Sequence, residues 1–197
     1  MGHGPVAGVD RKVRRKLARG ARRLGAIVQP IEFMGFSGDC IVYGRLALTA
    51  DRLTDELNAS ESFRLEDVTL EDLGDGHAVV LPELVVDQAD LFAAIASGPR
   101  GNEARRVRTR TVRMQLSLGP YMVLGNLHTQ PGADPLVSVM RRSPMIPLTN
   151  ATIAFARDGF VIARDAEALL VNRNLADQIR PTGDEALLFP DATIIAA

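Results

Sequence analysis

The chain has 197 residues, 46% of them hydrophobic, and a net charge of −1, a composition that supports a buried core and excludes global disorder. Its single cysteine, Cys40, excludes an intrachain disulfide and any zinc site built from the cysteines of one chain. With no secretory leader and no apolar run long enough to span a bilayer, the expected location is the cytoplasm.

The near-neutral total hides an asymmetry. The first predicted element is a basic helix or arm over residues 1–28, in which Arg11, Lys12, Arg14, Arg15, Lys16, Arg19, Arg22 and Arg23 flank a narrow apolar stripe of Val13, Leu17, Ala21 and Leu24. This pattern suits contact with nucleic-acid phosphates or an anionic membrane surface, docking on a partner protein, or packing on the chain itself. The basic residues are almost all Arg and Ala is common, which fits a GC-rich coding bias. Arg content alone is therefore no sign of bidentate recognition.

Residues 29–100 form the first predicted β unit, 101–114 a basic linker, 115–181 a second β unit and 182–197 a tail. The division rests on an internal repeat. A Gly-containing strand, Ile41–Leu46, matches Met122–Leu127. Two extra residues in the second copy fall around Gln130-Pro131-Gly132. A short helix follows in each, with Asp51 and Asp134 as expected N-caps, and Leu53/Leu57 and Leu136/Met140 as expected apolar faces. Pro135 stands at a first helical position, where its missing N–H does no harm.

Next comes a strand whose alternation changes phase. Phe63 and Leu65 are followed on the opposite parity by Val68 and Leu70, and Ile146 and Leu148 by Ala151 and Ile153. A bulge or bend near Asp67 and Asn150 reconciles the two phases. Asp75-Gly76 and Asp158-Gly159 then predict hairpins. Apolar strands follow at 78–81 and 160–163, with further strands at 84–86 and 168–171. A helical turn or short helix is expected to close each unit before Gly98-Pro99 and Arg180-Pro181. The ungapped match runs from Asp51–Val79 to Asp134–Ile162.

In the linker, Arg106, Arg108 and Arg110 alternate on one strand face from which phosphates or acidic side chains are within reach. The stretch from Arg108 to Leu116 itself alternates like a strand, and Ala192–Ile195 reads as an edge strand. Short, strongly bent strands in so small a unit favour barrel closure, which removes exposed edges. The expected fold is mainly β: two tandem five-stranded small barrels from an internal duplication, with a basic N-terminal helix and short helical insertions.

Gly44, Asp51 or Asp55, Asn58, Leu65 and Asp67 resemble the first signature of Sm-like (SH3-like) small β-barrels, which also carry an N-terminal helix. The resemblance implies a small barrel and RNA as an alternative partner. The second signature of that family has only Val86-Asp87-Gln88 and Val171-Asn172-Arg173 in its place, and Arg141 stands where the first copy has Asn58. The run Arg52-Leu53-Thr54-Asp55-Glu56-Leu57-Asn58 resembles a motif of uncharacterised bacterial proteins, which implies no activity.

No catalytic, cofactor-binding or metal-binding pattern emerges. His3, His77 and His128 lack ligand spacing, and there is no nucleophile elbow, phosphate loop or dinucleotide fingerprint. His77 matches Phe160 in the repeat, and a packing role is expected for it. Cys40 lies in an apolar strand and reads as an inert thiol. No aromatic residue lies within either basic run, as base stacking would favour. The expected function is a non-enzymatic assembly or adaptor subunit with protein partners or self-assembly. The alternative is a nucleic-acid-binding module that uses the basic helix and linker.

Overall fold

The computed structural model describes residues 29–96, 98, 108–183 and 194–196. The N-terminal basic residues Arg11, Lys12, Arg14, Arg15, Lys16, Arg19, Arg22 and Arg23, and Arg106 of the linker, lie outside the described residues. The described part is mainly β. In chain order it has β1 (Gln29–Phe36), β2 (Cys40–Leu48), α1 (Leu53–Ala59), β3 (Ser62–Asp72), β4 (Ala78–Asp87) and β5 (Ala93–Ala96). These are followed by β6 (Arg110–Leu118), β7 (Tyr121–Thr129), α2 (Pro135–Met140), β8 (Met145–Arg157), β9 (Phe160–Asn172), β10 (Gln178–Pro181) and β11 (Ile194–Ala196). A 3-10 turn precedes both β5 and β10, at Gln88–Asp90 and Arg173–Leu175.

The strands form one antiparallel path, β10-β6-β7-β8-β9-β5-β1-β2-β3-β4, with β11 added parallel to β9. β1–β5 and β6–β10 trace the same ladder order: each first strand pairs with the second and the fifth, and the second to fourth form a meander. Neither β4–β5 nor β9–β10 is among the ladders, so the hydrogen-bonded path is one continuous sheet. Two apolar cores lie along it. Leu46, Leu57, Phe63 and Leu65 gather with Met145 and Leu170 in one, and Leu116, Tyr121, Ile153 and Phe155 with Phe36, Ile41 and Ala93 in the other. Each core thus borrows side chains from the other half of the chain.

The phase change in β3 and β8 is a bulge. The register slips between Tyr43 and Arg45 opposite β3, and between Leu124 and Asn126 opposite β8. Asp67 and Asn150 take positive φ, 50° and 46°, as the bend requires. The strand glycines sit against it. A Cβ on Gly44 would lie 3.1 Å from the Glu66 carbonyl oxygen, and one on Gly125 would lie 2.8 Å from Leu148 Cβ. Close approach of two backbones explains why these strands carry glycine.

Several local expectations change. The strands at 78–81 and 84–86 are one strand, β4, and those at 160–163 and 168–171 are one strand, β9. The expected helical turns are present as the two 3-10 turns, but each is followed by a short strand, so Arg180-Pro181 belong to β10. The strand-like stretch at the end of the basic linker is β6, which starts at Arg110 and runs to Leu118. Asp134 caps α2, accepting from the amides of Leu136 and Val137, but Asp51 does not cap α1, whose N-cap is Arg52. Leu53 and Leu57 are buried as expected; on α2 it is Val139 that is buried, while Leu136 and Met140 are exposed. The difference lies in the surroundings: α1 packs against β8, whereas α2 packs mainly against β7 and β10.

The ungapped match also ends early. β3 turns into β4 through a loop after Asp72, but β8 and β9 stay paired out to Arg157↔Phe160 and turn on Asp158-Gly159 alone, both at positive φ. Val79, opposite Leu70, therefore corresponds by ladder to Arg164, opposite Ile153, and not to Ile162. His77 and Phe160 flank these turns and are exposed, so His77 has no packing role.

Candidate functional site

The features that stand out are the two ends of the sheet and the seam at its middle. β4 and β10 close the strand path, and no described strand pairs with their outer sides. β4 exposes Val79, Val80 and Val85. Its Pro82 faces the bulge residue Asp67, a position available to proline on an edge strand. β10 is short, with Ile179 half-buried and Gln178 and Arg180 exposed.

At the seam β5 pairs antiparallel with β9, Ala93↔Val171 through Ile95↔Leu169. The Asn172 amide donates to the Phe92 carbonyl at 2.8 Å, and its side-chain Nδ2 donates to the Gln88 carbonyl at 3.2 Å. Asn58, just inside the end of α1, grips β8 twice: Nδ2 donates to the Met145 carbonyl at 2.9 Å, and Oδ1 accepts from the Met145 amide at 3.0 Å. The fully buried Tyr121 ring packs edge-on against Phe36 and Phe155, and its hydroxyl donates to the Ser37 carbonyl at 2.7 Å. Burial pushes that phenol far above its ordinary value.

A polar network links the two halves of the chain. Tyr43 donates to Glu71 at 2.8 Å, Arg164 donates to the Tyr43 hydroxyl at 3.2 Å, and Arg157 pairs with Glu71 at 2.8 Å while also donating to the Leu73 and Asp72 carbonyls. Burial alone raises the Glu71 pKa, but the hydrogen bonds from Tyr43 and Arg157 and the two arginine charges outweigh it and hold the carboxyl below its usual range. Burial, followed by the hydrogen bond to Glu71, pushes Tyr43 up to about 12. At neutral pH the phenol therefore keeps its proton and the carboxylate stays charged. The cluster is an ion-paired clasp between β2, β3, β8 and β9, and neither group is poised to exchange a proton.

The remaining chemistry-bearing residues are quiet. Burial raises the Cys40 thiol, the opposite of an activated nucleophile, and Ser37 Oγ lies 3.2 Å from its sulfur. His128 is held between Thr149 and Thr109. Among the described residues no three His, Cys, Asp or Glu side chains converge on a metal position, and no helix is long and apolar enough to cross a membrane.

Of the basic linker, Arg108 and Arg110 are exposed. Arg110 donates to the Ala133 carbonyl at 2.7 Å. Of the acidic groups within the chain that were expected to answer this run, Asp67 pairs with Arg45, Asp55 with Arg52 and Glu71 with Arg157. The edge strand β10 and the Asn58–Met145 clasp had no local signal. Each depends on a partner far along the chain, although Asn58 was visible as a signature residue. Comparisons with protein-family models, with curated protein sequences and with solved structures found no match.

Proposed function

We propose that the protein is a non-enzymatic assembly subunit: an adaptor made of two fused Sm-like/SH3-like small-barrel units derived from one duplicated ancestor, working within a larger complex of protein partners. The observation that carries this reading is the pair of open sheet edges, β4 and β10, one at each end of a path whose two halves are already joined edge to edge through β5 and β9. An unpaired strand presents a row of backbone donors and acceptors, a template for adding another strand. The exposed valines of β4 add apolar surface to that template.

The matching ladder order of β1–β5 and β6–β10, and the matching bulges at Asp67 and Asn150, support common descent of the halves. The clasp of Tyr43, Glu71, Arg157 and Arg164 supports a structural use of the chain's ionisable groups. The test is the size of the native particle. In extract of the source cells, separated by gel filtration and detected by antibody, the chain is expected to elute well above its own 21.3 kDa. Elution as a free monomer would refute the assembly reading.

A further inference from the structure

We infer that the partner at each open edge is a second copy of this chain, joined head to tail, with β10 of one copy paired antiparallel to β4 of the next. This rests on the assembly reading above and supplies its partner.

The seam inside the chain is the template. β5 and β10 hold equivalent places: each follows a 3-10 turn and pairs with the first strand of its half, β5 on β1 and β10 on β6. β4 and β9 are likewise equivalent, each the last strand of a meander. The ladders carry Ala93, Ala94 and Ile95 onto Gln178, Ile179 and Arg180, and Leu169, Leu170 and Val171 onto Leu84, Val85 and Val86. The seam β5·β9 therefore has one unfulfilled counterpart, β10·β4. Its register between copies is Gln178↔Val86, Ile179↔Val85 and Arg180↔Leu84.

Exposure supports the same junction from both sides. Leu170, covered at the seam, is 5% exposed, whereas its counterpart Val85 is 58% exposed. On the other side, Leu53 and Leu57 of α1, which packs on β8, are 6% and 0% exposed; Leu136 and Met140, their counterparts on α2, are 40% and 63% exposed. The equivalent of β8 for α2 is β3 of the next copy. Apolar surface is thus left open on two faces that the repeated step brings together. Charge is mixed: Arg141, Arg173 and Arg180 lie at the β10 end and Glu61, Asp87 and Asp90 at the β4 end, while the same register sets Asp177 opposite Asp87.

One contact is not reproduced. Asn172 donates its side-chain amide to the Gln88 carbonyl, but the counterpart Asp87 has no donor for the Arg173 carbonyl. Replacing Asp87 by Asn restores that donor. Because the joined surfaces differ, the contact is heterologous and the same step repeats from copy to copy.

The test uses the purified full chain, light scattering after gel filtration, and substitutions at exposed positions whose folding is checked by circular dichroism. The wild type is expected at twice 21.3 kDa or a higher multiple. Val85→Lys, which damages only the β4 end, and Met140→Lys, which damages only the β10 end, are each expected to be monomeric. Mixed one to one, they should form a defined heterodimer, since each supplies the end the other lacks. Asp87→Asn should lower the dissociation concentration by roughly two- to tenfold or more, since it regains one hydrogen bond and removes one acid from opposite Asp177. A wild type that is monomeric throughout the micromolar range, assembly that survives both lysine substitutions, or a mixture that stays monomeric would each overturn the inference. A chain large in cell extract but monomeric when pure would defeat head-to-tail pairing and leave the assembly reading standing; a monomer in both would defeat both.

Discussion

Replacing Asn58 by Ala tests the seam within one chain. The side chain makes two hydrogen bonds to the backbone of Met145, a residue that is itself buried at 1% exposure. Such bonds contribute on the order of 1 kcal/mol each, and a backbone group left dry costs about 1–3 kcal/mol. Asn58 is half-buried, so water reaches part of the gap and the lower part of that range applies, about 2–3 kcal/mol in total. For a domain of this size each kcal/mol moves the melting temperature by about 2–4 °C, so Asn58→Ala is expected to melt roughly 4–12 °C below wild type by circular dichroism. Arg141, which holds the equivalent place after α2, is exposed. Arg141→Ala, measured on chain kept monomeric by Met140→Lys, should stay within about 0.5 kcal/mol of its parent. An Asn58→Ala variant that melts within a degree of wild type would show that α1 and β8 are held by apolar packing alone.

Three further outcomes follow from the geometry. Gly125→Ala should destabilise by about 1–3 kcal/mol, because the new Cβ meets Leu148 Cβ at 2.8 Å, and Gly44→Ala should cost less, its nearest neighbour being 3.1 Å away; urea titration ranks the two, and the reverse order would contradict the bulge packing. Asp134→Ala should lose about 1 kcal/mol as a lost N-cap, while Asp51→Ala, which removes no cap, should lose far less; equal losses would count against the cap assignment. Glu71 has a folded pKa below its unfolded one, so its contribution to stability is complete above the ordinary carboxylate range and is lost as pH falls through the lower folded value. Urea unfolding from pH 7 to pH 3 should therefore show a smaller acid loss in Glu71→Gln than in wild type; parallel profiles would remove Glu71 from the acid response.

Much of the local structure is written in short-range patterns. Alternation with period two reveals β3 and β8, and the switch of parity from Leu65 to Val68 reveals the bulge, because the face a side chain takes depends only on its place along the strand. Asp134 followed by Pro135 marks a helix start for an equally local reason: the cap bonds reach only two and three residues ahead. The glycines in β2 and β7 are visible as anomalies in a strand, although the contact that demands them is not.

The rest depends on which distant segment lies opposite. β5 is four residues, Ala93–Ala96, with no periodicity to read, and it is a strand because β1 and β9 flank it. Leu53/Leu57 and Leu136/Met140 have identical spacing, yet one pair is buried and the other exposed, since α1 packs on β8 of the other half and α2 packs mainly on β7 and β10 of its own. The joining of the halves into one sheet is equally invisible along the chain. Helix faces, caps and bulges follow from interactions within a few residues, whereas burial and strand order are properties of the surface across the gap, and that surface exists only once the chain has folded.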